Sequence, residues 1–217
     1  MSTRHPAPPD RSARRPTRTL HRDVGAIAAA AILLGACATA SAPRFHSLAP
    51  APVTPAAKAA PASGLAWEVV PISVPPGVDQ PQWVVRGVDG SLVVLEQERW
   101  IAPLGDELRA AVSAQLVQML GAPAASAPTV WRVRIDVLRF ESAPGREARV
   151  DAVWSLASDA APSAVAVRCR GEYVQSLATD GYLAIASAQQ KNVALLGGSI
   201  AAALGALGAG RPATCGG

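Results

Sequence analysis

The chain has 217 residues, with 20 Lys and Arg against 16 Asp and Glu, and a sequence pI of about 9.4. Six of the arginines and two of the aspartates lie in the first 36 residues, so the remainder carries 14 basic and 14 acidic residues. That balance leaves no electrostatic footprint of a nucleic-acid-binding protein, and about 180 residues suffice for one domain with its own core.

The first 36 residues have the layout of a secretory signal peptide. A leader with six arginines precedes the apolar run 24–34, which is too short to cross a bilayer comfortably as a helix. The run ends in Leu34-Gly35-Ala36-Cys37, which resembles the bacterial lipobox. In a lipobox the peptide is cut before the cysteine, whose thiol takes diacylglycerol and whose new amine is acylated. We therefore expect cleavage after Ala36 and lipidation of Cys37; the alternative is a signal anchor with an incidental cysteine.

Lipidation at Cys37 would provide a permanent anchor, because two or more acyl chains hold a protein stably at a membrane. The next residue is Ala38. An Asp in that position is the familiar inner-membrane retention signal of enteric-type bacteria, so its absence favours the outer membrane, with the chain facing the periplasm.

Residues 37–64 are rich in Ala and Pro, and we predict a lipidated, semi-extended tether over this range. Within it, residues 44–48 alternate enough to form a short strand.

Residues 65–211 are predicted to form one α+β domain, followed by a tail at 212–217. Alternating apolar residues and turn signals predict strands over 65–74, 82–86, 91–96, 129–141, 146–158 and 163–177. The last three are joined by short connections, which favours an antiparallel meander with one solvated face. The sequence thus predicts a mainly antiparallel sheet packed against two long helices in a single periplasmic domain.

The first helix is predicted at 104–120, where Leu and Val recur every four residues between Pro103 and Gly121. Asp180 is the expected N-cap of the second helix. This helix continues into an uncharged, glycine-rich stretch at 193–210, which reaches the lower length limit of a membrane span. We favour a helix buried against the sheet or in an oligomer contact over a true span.

Two cysteines remain beside Cys37. In the oxidising periplasm Cys169 and Cys215 could form a disulfide. Cys169 falls on the apolar face of a predicted strand, whereas Cys215 lies in a glycine-flanked tail, so the sequence leaves paired and unpaired states open.

Catalytic and metal-binding patterns are weak. The one histidine after residue 36 is His46, in or beside the predicted tether, which argues against a Ser-His-Asp or Cys-His arrangement in the globular part. Cys169 and Cys215 have no neighbouring zinc-ligand partners, and residues 197–210 lack the lysine of a phosphate loop. The carboxylate pairs Glu96/Glu98 and Asp106/Glu107 are interpreted as exposed surface groups. The sequence predicts no enzyme, no cofactor and no metal.

Arg99 and Trp100 allow two interpretations: Trp100 anchors the core at the entrance of the first helix, which we favour, or the pair belongs to a docking surface. The polar sheet face with five arginines is offset by acidic residues and is interpreted as a solvated face, with a partner contact as the alternative. The residues of this face are Arg132, Arg134, Arg149, Arg168, Arg170, Asp136, Asp151 and Glu172.

Several segments together resemble the ABC-type transport auxiliary lipoprotein family, the group that includes paraquat-inducible protein C (PqiC). They are the lipobox, RFHSL at 44–48, VP at 74–75, QPQWVVR at 80–86, LEQERWIAPL at 95–104 and VRIDVLRF at 133–140. The Arg-Trp-x-x-Pro-Leu core before the amphipathic helix is the most specific part. The likeness spans residues 44–207, with an expanded linker at 49–64 and a more glycine-rich last helix than the family pattern.

The resemblance implies a periplasmic α+β domain tethered to the outer membrane that assists an ABC-type or MCE-type system moving lipids between membranes. The expected role is non-catalytic docking or positioning of a periplasmic conduit, with a homo-oligomer as a further expectation. The alternatives are a carrier that binds a lipid between sheet and helices, and a structural envelope lipoprotein without a transporter.

Overall fold

The computed structural model describes residues 41–49, 64–161, 165–179 and 181–215. These ranges contain strands from two sheets and two helices. In chain order the elements are β1 (Arg44–His46), β2 (Ala66–Val69), β3 (Gln82–Arg86), β4 (Leu92–Trp100), α1 (Leu104–Leu120), β5 (Val130–Ala143), β6 (Glu147–Ser158), β7 (Val165–Ser176) and α2 (Tyr182–Gly208). The α+β prediction is confirmed.

The larger sheet has the strand order β2-β5-β6-β7, and its last three strands form the predicted antiparallel meander. Alternation decides which side chains of β5 face the core: Val133, Ile135 and Val137 are at most 4% exposed, while Arg132 and Arg134 are solvent-exposed. Strand β2 pairs with β5 in the parallel direction, so this sheet is mixed.

The smaller sheet has the order β1-β4-β3. Strands β3 and β4 form the predicted hairpin, whereas β1 runs parallel to the end of β4, with Arg44 opposite Glu98 and His46 opposite Trp100. Strand β1 therefore belongs to the folded domain, although it lies upstream of the domain boundary predicted at residue 65 and inside the range 37–64 predicted as tether. Of the other tether residues with a described structure, 41–43 and 64 are exposed coil or bend, whereas 47–49 are partly or fully buried, with Leu48 in the core.

Two strands differ in length from the sequence prediction. β2 stops at Val69, and a single parallel bridge from Ser73 to Asp136 replaces the second half of the predicted strand at 65–74. β4 continues to Trp100 instead of ending at residue 96, because its last three residues pair with β1 after an irregularity in the pairing with β3. A pairing with a distant segment leaves no local sequence pattern, which is why the longer β4 was not predicted.

Helix α1 matches its prediction. Leu104, Leu108, Val112 and Leu116 are fully buried on one face, and Gly121 ends the helix with φ +82°. The acidic Glu107 lies on this same buried face at 5% exposure.

Helix α2 packs against β5, β6, β7 and α1. By length and composition its 27 residues could cross a membrane, but its long row of buried residues, from Ile185 to Leu204, lies in the core of the domain. Its N-cap position is occupied by Gly181, and the predicted N-cap Asp180 lies outside the described residues.

The glycines of α2 allow the two helices to approach closely. A Cβ atom added at Gly197 would lie 2.7 Å from Cγ of Gln115 on α1, and one added at Gly208 would lie 2.6 Å from Leu65 Cδ2. The glycine-rich composition that suggested a membrane or oligomer contact is therefore used, at least at these two positions, for packing within the domain.

Candidate functional site

The predicted lipidation residue Cys37 and the cleavage residue Ala36 lie outside the described residues. Lipidation of Cys37 accordingly stays a prediction. The strand nearest to Cys37 in the sequence is β1, whose first residue is Arg44.

An aromatic cluster packs against His46 of β1. His46 stacks on Trp83 with ring centroids 4.3 Å apart, Trp83 lies 4.6 Å from Trp100, and Trp100 meets Phe140 edge to face at 5.9 Å. Trp100 is 3% exposed, so it is a core anchor and cannot present its ring to a partner. The burial supports the core-anchor interpretation of Trp100, and its neighbour Arg99 is partly exposed and donates from Nε to the Glu96 carbonyl at 3.0 Å.

Glu98 is the centre of a buried polar cluster at the β1–β4 junction. Its side chain is 3% exposed; Arg44 Nε donates to Oε1 at 2.8 Å, and a second Arg44 nitrogen also contacts this oxygen. A hydrogen bond of 2.6 Å joins His46 Nε2 to Oε2. Both carboxylate oxygens are thus satisfied by residues of β1, as burial of a charged group requires.

Glu107 forms a second cluster with the residues that follow β1. Its Oε2 accepts hydrogen bonds from the Ser47 hydroxyl and the Leu48 backbone N–H, both at 2.8 Å. From α2, Gln190 Nε2 donates to the Ser47 carbonyl at 2.9 Å. Side chains of β4, α1 and α2 therefore hold residues 44–48 in place.

These contacts correct two interpretations made from the sequence. His46 is part of the globular domain and not of the tether, and its side chain is 8% exposed. The carboxylate pairs are split by burial: Glu96 and Asp106 have exposed side chains, at 65% and 59%, whereas Glu98 and Glu107 are buried. The position of Glu107, three residues after Leu104 on the apolar face of α1, was the available sequence signal for its burial.

Cys169 and Cys215 form a disulfide, with 5.4 Å between their Cα atoms. After α2, Gly210 reverses the chain with φ +69°, and Arg211 N–H donates to the Ala206 carbonyl at 2.9 Å. The tail thereby returns to β7, where Cys169 is 4% exposed.

The arginine-rich face of the larger sheet divides into two parts. Arg149 donates to Asp151 at 2.8 Å and to Glu172 at 2.7 Å, and the hydrogen bond to Asp151 raises the pKa of Arg149 above its ordinary value. The second part is a groove of about 380 Å³, and its basic lining residues form no ion pair with any residue that the structure describes. They are Arg132, Arg134 and Arg168.

Over the described ranges no group of three His, Cys, Asp or Glu side chains is placed to hold a metal ion.

Arg86 joins the two sheets through Glu141, with Nε donating to Oε1 at 2.5 Å, and this hydrogen bond raises the pKa of Arg86.

Comparison with known proteins places this architecture in a family. The model of the family described as ABC-type transport auxiliary lipoprotein component matches residues 46–201. The chain belongs to this family. The match begins at His46, the last residue of β1, and ends at Ala201 within α2, so it covers β2 to β7, α1 and most of α2.

Solved structures show the same fold. A crystal structure of an uncharacterised protein superposes with a TM-score of 0.56 at 17% identity, covering 74% of this chain and 97% of that protein. A protein from Xanthomonas campestris with the family model DUF330 gives a TM-score of 0.52 at 22% identity, covering 75% of this chain and 92% of its own. No curated protein matches the sequence of this auxiliary lipoprotein.

We predict that Glu107→Ala lowers the free energy of unfolding by about 1–3 kcal/mol, because it leaves the buried Leu48 N–H without its acceptor. Urea-induced unfolding of the two proteins measures this difference. The matched control is Asp106→Ala, which removes the neighbouring carboxylate from an exposed pair with Arg109 and should cost less than about 1 kcal/mol. Equal effects of the two substitutions would show that the Glu107 contacts do not stabilise the fold.

Proposed function

We propose that this protein is a non-catalytic lipoprotein of the outer membrane, anchored through lipidated Cys37, that docks or positions the periplasmic part of an ABC-type or MCE-type lipid transporter. The observation that carries the proposal is the family match over residues 46–201 together with the lipobox directly upstream of it. In this proposal the lipobox supplies the anchor and the folded domain supplies the docking surface.

The polar clusters favour a structural role over catalysis. His46 and Glu98 resemble the imidazole–carboxylate part of a hydrolytic site, but both oxygens of Glu98 are bonded to β1. The neighbouring hydroxyl of Ser47 is bonded to Glu107 and not to His46. A nucleophile would have to be within hydrogen-bond reach of the base, and the adjacent serine is engaged elsewhere.

The interior favours docking over carriage of a lipid. The space between the sheets and helices is filled by large side chains that are at most 2% exposed, among them Trp83, Trp154, Leu196, Ile200 and Leu204. A carrier would need room there for acyl chains of a bound lipid.

The groove with Arg132, Arg134 and Arg168 is our candidate for the surface that meets the transporter. Three arginines without acidic partners among the described residues attract an acidic surface and steer its approach. Their guanidinium groups can also bind carboxylates through two parallel hydrogen bonds.

The anchor is tested with envelope fractionation and mass spectrometry. We expect the wild-type chain in the outer membrane as a triacylated species that begins at Cys37, and Cys37→Ser without lipid, with residues 1–36 uncleaved, and absent from the outer membrane. Ala38→Asp should keep the lipids but shift the protein to the inner membrane of an enteric-type host, and Ala38→Ser is its control. A wild-type chain without acyl groups at Cys37, or a Cys37→Ser protein that still reaches the outer membrane, would contradict the anchor.

The docking surface is tested by crosslinking in intact envelopes. Wild type should trap a periplasmic component of an ABC or MCE system, and Arg134→Glu should reduce the recovery of that component several-fold by charge reversal. Arg109→Glu makes the same charge change on the exposed side of α1 and should have little effect. Equal recovery from the Arg134→Glu and wild-type proteins would contradict the groove, and a wild type without such a partner would contradict the transporter role itself.

A further inference from the structure

The domain is joined to its proposed anchor by a very short link. Only six residues separate Cys37 from Arg44, and a fully extended chain over this interval spans at most about 25 Å. The link would become longer if β1 left the sheet. The buried carboxylates of Glu98 and Glu107 would then lose their hydrogen-bond partners, so β1 is held in place. The surface around β1 must therefore lie near the membrane if Cys37 is lipidated.

That surface carries large exposed apolar side chains from three elements. Phe45 on β1 is 60% exposed, Ile101 after β4 is 67% exposed, and Leu183 in the first turn of α2 is 78% exposed. They surround the edge strand β1. Arg44 and His46 line a groove of about 350 Å³ together with Leu183 on one side of the strand, and Phe45 points to its opposite side. The His46 carbonyl accepts the Ile101 N–H at 3.0 Å, which places Ile101 at the end of β1.

Arg44 adds an exposed guanidinium, ion-paired with Glu98, at the same place. Its side chain is 69% exposed although it bonds to Glu98, and it lines the same groove as Leu183. Aromatic and aliphatic side chains next to a basic residue are the composition of surfaces that enter the headgroup layer of an anionic membrane. The apolar groups bury their surface at the acyl boundary while the guanidinium stays at the level of the phosphates.

We infer that the face formed by Phe45, Ile101, Leu183 and Arg44, here called the β1 face, docks on the phospholipid surface to which the chain is anchored. The inference rests on the proposed lipid anchor at Cys37. Docking fixes the orientation of the domain, because a face and an anchor at one point together leave little freedom to tilt. The remaining surface, including the arginine groove, then keeps a constant orientation relative to the membrane.

The test uses the full lipidated chain in vesicles of phosphatidylethanolamine and phosphatidylglycerol that contain nitroxide-labelled lipid. Leu183→Cys and Phe45→Cys each introduce one free thiol for a fluorophore, since Cys169 and Cys215 are paired. Ala202→Cys is the matched control, because it is exposed on the same helix about 28 Å from residue 183. Fluorophores at 45 and 183 should be quenched several-fold more than one at 202.

A second variant separates true docking from mere proximity. A long Gly-Ser insertion between Ala42 and Pro43 frees the domain to move away, and quenching at residue 183 should persist if the β1 face itself binds lipid. Adding Phe45→Asp to this insertion should abolish the quenching.

Flotation of the protein with the vesicles measures membrane anchoring independently of fluorophore quenching. A chain that floats but shows equal or absent quenching at all three positions overturns the docked face alone. Loss of quenching on insertion, without Phe45→Asp, also overturns it. A chain that does not float overturns the anchor as well as the inference that rests on it.

Discussion

Burial of the two carboxylates of Glu98 and Glu107 is the constraint on which the rest of the structure depends. A buried carboxylate needs hydrogen-bond donors, and the donors come from one segment: Arg44 and His46 for Glu98, Ser47 and Leu48 for Glu107. Residues 44–48 are therefore an obligatory part of the core, although they lie far upstream of the other strands. Removing them would leave two buried acids without partners.

The position of this segment changes how the molecule relates to its proposed anchor. A tether over 37–64 would let the domain range about 95 Å from the membrane, whereas a link that ends at Arg44 allows about 25 Å. Residues 50–63 then connect two strands of one domain and do not contribute to the reach of the anchor. With the proposed anchor at Cys37, the domain acts close to the membrane surface.

Local patterns predicted those parts of the fold that local rules determine. Alternation placed the core residues of β5 and β6, four-residue spacing placed α1, and Gly121 marked its end. The parallel pairing of β1 with β4 was not predictable in this way: the alternation at 44–48 indicated a short strand, but its partner lies more than fifty positions away in the sequence. The same non-local contacts hid the roles of His46 and Glu98, and only the contact between α1 and α2 explains Gly197.

The disulfide and the pairing of the arginines also could not be predicted from local sequence patterns. Sequence position could not decide whether Cys215 reaches Cys169, because the reversal at Gly210 sets the path of the tail. The sequence showed five arginines on one sheet face. Only the structure shows that Arg149 is ion-paired, whereas Arg134 lines a groove without an acidic partner among the described residues. Surface function depends on which charges remain without a partner, and that depends on side-chain geometry.

The central claim is that residues 44–48 are part of the folded core, and native-state hydrogen exchange of single amides tests it most directly. The account predicts that the Leu48 amide, bonded to Glu107, and the Ile101 amide, bonded to His46, exchange orders of magnitude more slowly than the amides of Val88 and Asp89 in the exposed turn. Exchange of Leu48 as fast as that of the turn would contradict the account and return β1 to the tether.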